Sequence, residues 1–210
     1  IVYSLGLIQP AEFLNIRKIR NMEFGWALAA GLGVLIFGTL HGIEIAIIVS
    51  LIGLASQTAN PSVYALGRKR DTDVLRPLSA EHADDETYDG LLIVRPEGRL
   101  FFINAQNVAE QINALITRYQ PRVVAVDMSG VPDIEYSALQ MLIEGEHRIA
   151  ERGMTLWLAG LNPAVLETVR HSGLADRLGR ERMLFNAFQA IERYQAQASR
   201  QSSAEQPLHP

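Results

Sequence analysis

The chain has 210 residues, a net charge of −4 and a pI near 5.8, enough length for one ordinary domain and further material. This acidic balance gives no reason to expect nucleic acid as a partner, and the absence of cysteine excludes disulfides, thiolate chemistry and Cys-containing zinc sites. His41, His82, His147, His171 and His209 are too scattered in sequence to suggest a metal site, so neither a metal nor another cofactor is expected.

The chain opens on "IVYSLGLI", which reads as the last turns of an apolar helix cut in the middle, in a fragment or a processed product. A signal peptide would carry its basic residues before the apolar stretch, whereas here they follow it. From Phe24 to Ile43 twenty consecutive residues carry no formal charge, and after Glu44 the apolar run "IAIIVSLIGLAS" extends to Ser56. A bilayer core about 30 Å thick needs about 20 helical residues, so the first run is just long enough. The second covers only about 18 Å at about 1.5 Å per residue. The pattern predicts two short membrane helices with a tight turn at "HGIE", residues 41–44. Neither run has the charged stripe of an amphipathic core helix.

Basic residues flank the pair, "RKIR" (Arg17, Lys18, Arg20) before it and "RKR" (Arg68, Lys69, Arg70) after it, which places both flanks in the cytoplasm. Ala27 and Gly31, and Ala29 and Gly33, recur at four-residue spacing. That spacing lets helices approach closely, or reflects the general abundance of small residues in membrane helices. Glu44 is read as an interfacial acid beside the turn rather than an intramembrane functional group.

Residues 57–89 mix Pro61, Pro77, "GRKR" and "EHADDET" and read as a connector. "LLIVR" and "LFFIN", joined by "PEGR", predict an antiparallel hairpin over Leu91–Asn104. Val108, Ile112, Leu115, Ile116 and Tyr119 share one face of a helix predicted over 105–119, closed by Pro121. "VVAVDM" is an apolar run without alternation, the mark of a strand covered on both faces. A second helix is predicted over 137–151, then the strand "MTLWLAG" and a third helix with Asn162 as N-cap and Pro163 at its first position. After a short "MLF" edge, a last helix carries Ala187, Ala190, Ile191 and Tyr194 inward. The order predicts an α/β sheet with helices packed against it. The organisation is then the end of one membrane span and two short membrane helices over 1–56, a linker over 57–89, a sheet domain over 90–195 and a tail over 196–210 too polar to offset the entropy of ordering.

The loop after "VVAVD" holds the candidate regulatory residues Asp127, Ser129 and Ser137. Ser137 is read either as a plain N-cap, contributing about 1 kcal/mol, or as a phosphorylation site at the positive end of a helix. The residues alone favour the cap, because Asp133 and Glu135 already crowd the loop with negative charge. Nucleophilic catalysis is not expected: His147 lies further along the helix that Ser137 opens, and no GxSxG, Walker A or dinucleotide fingerprint is present.

"VVAVDMSGVPDIEYSALQML" resembles the signature of STAS domains, the module shared by bacterial anti-sigma-factor antagonists and the cytoplasmic tails of SulP-type anion transporters. "GLLIVRPEGRLFFINAQNV" and "ANPSVYALGR" resemble the opening of a transporter STAS domain and the segment joining it to the last membrane helix. The resemblance implies the C-terminal part of a multi-pass secondary active transporter of the cell membrane, carrying sulfate, bicarbonate or dicarboxylates. Its domain would serve regulation, homodimer assembly and partner binding from the cytoplasm. The lipid bilayer, the remainder of the transporter membrane domain and a cytoplasmic regulatory protein are the implied partners. The regulatory serine of the antagonists follows an aspartate and a serine, and only Ser137 is retained in the matching Glu135-Tyr136-Ser137. The transporters' anion site lies earlier in their chains, so no substrate-binding residue is assigned here. A membrane-tethered STAS adaptor with a phosphoserine switch is the alternative, as is an interaction platform without transport.

Overall fold

The computed structural model describes residues 21–204. The apolar opening segment, the basic "RKIR" flank and residues 205–210 of the expected tail lie outside the described residues. The chain divides into two compact units, residues 1–57 and 58–210.

In the first unit, helix α1 (Asn21–Ala59) is broken at Gly38, whose φ of 80° and ψ of 172° are not helical. These angles lie in a region that essentially only glycine visits. The two halves face each other: Gly33 lies against Ile45, Gly42 against Val34 and Gly53 against the Trp26 ring. These pairs all centre close to Gly38, so the chain doubles back there. The turn therefore comes before "HGIE", where it was expected. His41 and Glu44 instead sit on the second helical half, their side chains paired at 3.1 Å. The seam also differs from the expected rows of small residues. Gly31 has nothing within 4 Å of where a Cβ would stand, whereas a Cβ on Gly42 would lie 2.6 Å from the Val34 Cα. Leu35, Phe37, Leu40 and Leu54 point outward and are exposed, and Gly31–Ser56 has a mean hydropathy of 2.1 with 11% of it buried. So continuous an exposed apolar surface is the mark of a contact surface for protein or membrane.

The second unit is a six-stranded sheet of order β2-β1-β3-β4-β5-β6. Its strands are β1 (Val63–Arg68), β2 (Leu75–Pro77), β3 (Leu91–Pro96), β4 (Val123–Asp127), β5 (Thr155–Ala159) and β6 (Met183–Leu184). Strands β3 to β6 run parallel, while β1 is antiparallel to both its neighbours. Helices α2 (Ala105–Tyr119), α3 (Tyr136–Glu151), α4 (Pro163–His171) and α5 (Leu174–Leu178) cover one face, and α6 (Ala187–Ala204) the other. Alternate strand residues serve the two layers. Val124 and Val126 pack with Val108, Ile116, Leu139 and Ile149, whereas Val123 and Ala125 pack with Ala187, Ala190 and Ile191. All five residues of β4 are buried, which accounts for its unbroken apolar run.

Two expectations fail, for one linked reason. "LFFIN" forms no strand, and the antiparallel partner of β3 is "VYALGR" from the stretch read as a connector, which also supplies β2. Asn104, only 1% exposed, takes the backbone groups that a ladder would have used. Its Oδ1 accepts the Phe101 N–H at 3.0 Å, and its Nδ2 donates to the carbonyls of Arg99 at 2.8 Å and Thr58 at 3.1 Å. Farther along α2, Asn107 bonds the Asn60 side chain, and Gln111 donates to the Pro61 carbonyl and accepts the Val63 N–H. One face of α2 thus grips the incoming chain and delivers it to the sheet as β1. The last helix also passes the Gln195 boundary and runs to Ala204, because Gln195, Ala196, Gln197 and Ala198 are adequate helix formers that extend an anchored helix into solvent.

Arg76 on β2 holds Asp85 in a bidentate pair, with Nε–Oδ2 at 2.8 Å and Nη2–Oδ1 at 2.7 Å. Hydrogen bonding from this guanidinium holds the Asp85 carboxyl below the usual carboxylate range, against the opposing effect of burial. A carboxyl with a depressed pKa in the folded state stabilises the fold above its unfolded pKa of about 3.9, and that stabilisation is lost as pH falls through the folded value. Asp85→Asn is therefore expected to lower stability near neutrality and to flatten the acid limb of a stability profile measured by denaturant unfolding between pH 2 and pH 7. An unchanged acid limb would show that the pair contributes nothing to it.

Candidate functional site

The parallel strands end together, and their carboxyl ends are where an α/β sheet places its working loops. At the end of β4, Asp127 is 2% exposed and lies on the α6 face of the sheet, following the alternation of Val123 and Ala125. Its Oδ2 accepts from Arg95 Nε at 2.9 Å and Nη2 at 2.7 Å, and its Oδ1 accepts the Ser129 N–H at 3.0 Å. The neighbouring Gly160, at the end of β5, has φ +65°, and a Cβ there would lie 2.9 Å from Asp127 Oδ1. The close approach and the backbone angle together require glycine at this position. Arg95, Asp127, Ser129, Gly160, Asp73 and Phe185 are among the residues lining an open cleft of about 850 Å3.

The structure brings Asp127 and Ser129 together and leaves Ser137 elsewhere. Ser137 is half-buried at the second position of α3, whose neighbouring Ala138 and Leu139 pack on the opposite face of the sheet from Asp127. It is not the N-cap. Glu135 holds that position with φ −82° and ψ 161°, because its N–H bonds the Leu100 carbonyl at 2.8 Å and its own carbonyl receives the Leu139 N–H at 2.9 Å. The Glu135 carboxylate does not cap the helix. It pairs with Arg99 at 2.9 Å, as does Asp133 at 2.9 Å, so one arginine holds the acidic charge that crowds this loop. Asn162 caps α4 as its sequence position suggests, and its Nδ2 also ties down the Val131 carbonyl at 2.8 Å.

The sequence reading missed Arg95 and Arg99. An arginine closing the apolar run "LLIVR" was the available signal for Arg95; Arg99 carries none, since its partners lie more than thirty residues away. His147 contacts Arg177, which also pairs with the buried Glu146 at 2.5 Å, and this cluster braces α5 against α3. Among the described residues no side-chain base is hydrogen-bonded to the Ser129 or Ser137 hydroxyl. The loop presents an exposed hydroxyl and an open cleft.

A family model for the STAS domain matches residues 82–192. Sulfate transporter 3.2 of Arabidopsis thaliana is 25% identical over 203 residues, covering 91% of this chain and 31% of its own length. High affinity sulfate transporter 2 of Stylosanthes hamata is 27% identical over 204 residues, covering 92% and 31%. Among solved structures, SLC26A9 superposes with a TM-score of 0.75 at 16% identity, over 91% of this chain and 33% of that one. Murine Slc26a9 in its inward-facing state gives 0.75 at 17% identity, over 87% and 30%. The chain spans about a third of the length of the curated relatives it matches.

Removing one partner of a buried ion pair leaves the other without compensation. Asp127→Ala is expected to reduce the unfolding free energy by about 2–4 kcal/mol, since it strands Arg95 and the Ser129 N–H. Replacing Arg95 and Asp127 together by leucine should cost less than the single change. Denaturant unfolding followed by the buried Trp157 measures both, and a double variant worse than the single one would contradict this account of the pair.

Proposed function

The chain belongs to the STAS-domain family, and from that premise we propose that it forms the C-terminal part of a SulP-type secondary active anion transporter. The reading is carried by one observation: an apolar helical hairpin runs directly into the sheet domain, and about nine-tenths of the chain, both parts included, aligns with sulfate transporters. The anions are of the sulfate, bicarbonate or dicarboxylate class. α1 is a membrane hairpin belonging to a larger multi-pass domain that holds the substrate site. The STAS domain lies in the cytoplasm, where it supports homodimer assembly, binds a regulatory protein and couples that binding to transport.

The chemistry is non-covalent. Lys69 and Arg70 stand exposed on the β1–β2 turn, which supports the cytoplasmic placement. Gly38 and the His41–Glu44 pair then mark the opposite, outer end of the hairpin. Ser129 and the exposed rim of the Asp127 cleft are the surface offered to a regulator. Ser137 remains a modification candidate whose added phosphate would stand beside Asp133 and Glu135, both already engaged by Arg99.

Expressed as the full-length protein in cells without endogenous sulfate uptake, the transporter is expected to accumulate labelled sulfate, bicarbonate or a dicarboxylate several-fold above background. In a cysteine-free background, His41→Cys should react with an impermeant maleimide added outside the cell, and Arg70→Cys should react only after permeabilisation. Transport of none of the three anion types would remove this reading and favour the tethered adaptor; the reversed labelling pattern would overturn the orientation.

A further inference from the structure

Among the described residues of the sheet unit, six large apolar side chains are exposed, and four of them gather at the carboxyl ends of the parallel strands. Phe102 (69% exposed) and Ile103 (45%) follow β3, Tyr136 opens α3 after β4, and Phe185 follows β6. The chain enters the unit at this same end: Val63 pairs with Pro96, and the Glu97 N–H bonds the Ser62 carbonyl at 3.0 Å. The buried Asn104 fixes the turn that carries Phe102 and Ile103 directly to the Thr58 carbonyl at 3.1 Å.

Thr58 lies two residues beyond Ser56, where the apolar run of α1 ends. Two residues of helix rise about 3 Å. The headgroup layer on each side of a hydrocarbon core is about 5–8 Å thick, the difference between about 40–45 Å and about 30 Å shared over two faces. Chain continuity and one buried side chain therefore keep the turn bound to Thr58 within reach of the headgroup layer. The polar side chains around it are already engaged. Arg99 pairs with Asp133 and Glu135, and Gln106 bonds Glu110 at 2.7 Å. An exposed apolar pair marks a contact with protein or with membrane, and its short tether to the apolar α1 favours the bilayer.

We propose that the Phe102–Ile103 turn is an interfacial foot, inserting between lipid headgroups beside the point where the chain leaves α1. The inference rests on reading α1 as a membrane hairpin. Neutral phosphatidylcholine is sufficient for it, because the foot carries no cation. Asn104 is a positioning residue: it touches no lipid and holds the turn at the depth where Phe102 does.

The absence of cysteine in the chain allows single spin labels at Ile47→Cys, Phe102→Cys, Ile103→Cys and Tyr119→Cys in phosphatidylcholine nanodiscs, Ile47 being exposed midway between Gly38 and Ser56. Accessibility to oxygen, which concentrates in lipid, is compared with accessibility to an aqueous nickel chelate. Labels at 102 and 103 should show an oxygen-to-nickel ratio several-fold above that at 119, which lies at the opposite end of the sheet, and below that at 47. Asn104→Ala should move the ratio at 102 toward the aqueous value while the label at 47 is unchanged. A lipid-like label at 47 with labels at 102 and 103 as aqueous as 119, or shielded from both reagents by protein, overturns the foot and leaves the membrane reading intact. An aqueous label at 47 overturns the membrane reading and the foot with it.

Discussion

The amide of Asn104 is the contact on which the organisation of the second unit turns. Buried at 1% exposure, it satisfies one backbone N–H and two carbonyls from segments far apart in sequence. An unpaired buried amide costs about 1–3 kcal/mol, so the geometry that satisfies all these groups at once is strongly selected. That geometry ends β3 in a turn, starts α2 at Ala105 and fixes the incoming chain at Thr58. With Asn107 and Gln111 continuing the grip along the same helix face, the chain is aligned as β1 at the free edge of β3.

β4 sits at the centre of a sheet covered on both faces, and no position along it meets solvent. A polar group is admitted only at its end, where Asp127 is neutralised by Arg95 and supplied with the Ser129 N–H. Such a pair adds little net stability over apolar packing, because both charges must be taken out of water. Its structural effect is orientation: it holds the first residues of the loop against Gly160, and so holds Ser129 at the cleft. An exposed hydroxyl thus stands two residues from a buried carboxylate.

The apolar hairpin meets a different constraint. Glycines at positions 33, 42 and 53 let one helical half lie directly on the other, and Gly38 supplies backbone angles denied to other residues. Close backbone approach and dispersion carry the association. The outward side chains are then free to be leucine, isoleucine and phenylalanine, as they are.

What the sequence alone determined is whatever depends on local pattern. An apolar run without a charged stripe specifies helices with no polar face, a run of valines without alternation specifies a strand covered on both sides, and Asn162-Pro163 specifies a helix start. The STAS signature from Val123 to Leu142 identifies the sheet domain. Tertiary structure alone decided the partners. β3 pairs with a segment that reads as linker, because an asparagine six residues past the turn glycine removes its expected neighbour. The hairpin turns at Gly38 rather than at the polar "HGIE", because the seam of facing glycines sets the register. Asp127 and Ser137 fall on opposite faces of the sheet although ten residues separate them. Each of these outcomes is a choice among long-range contacts, and periodicity in a single chain records which face a residue turns inward, not which distant residue will meet it there.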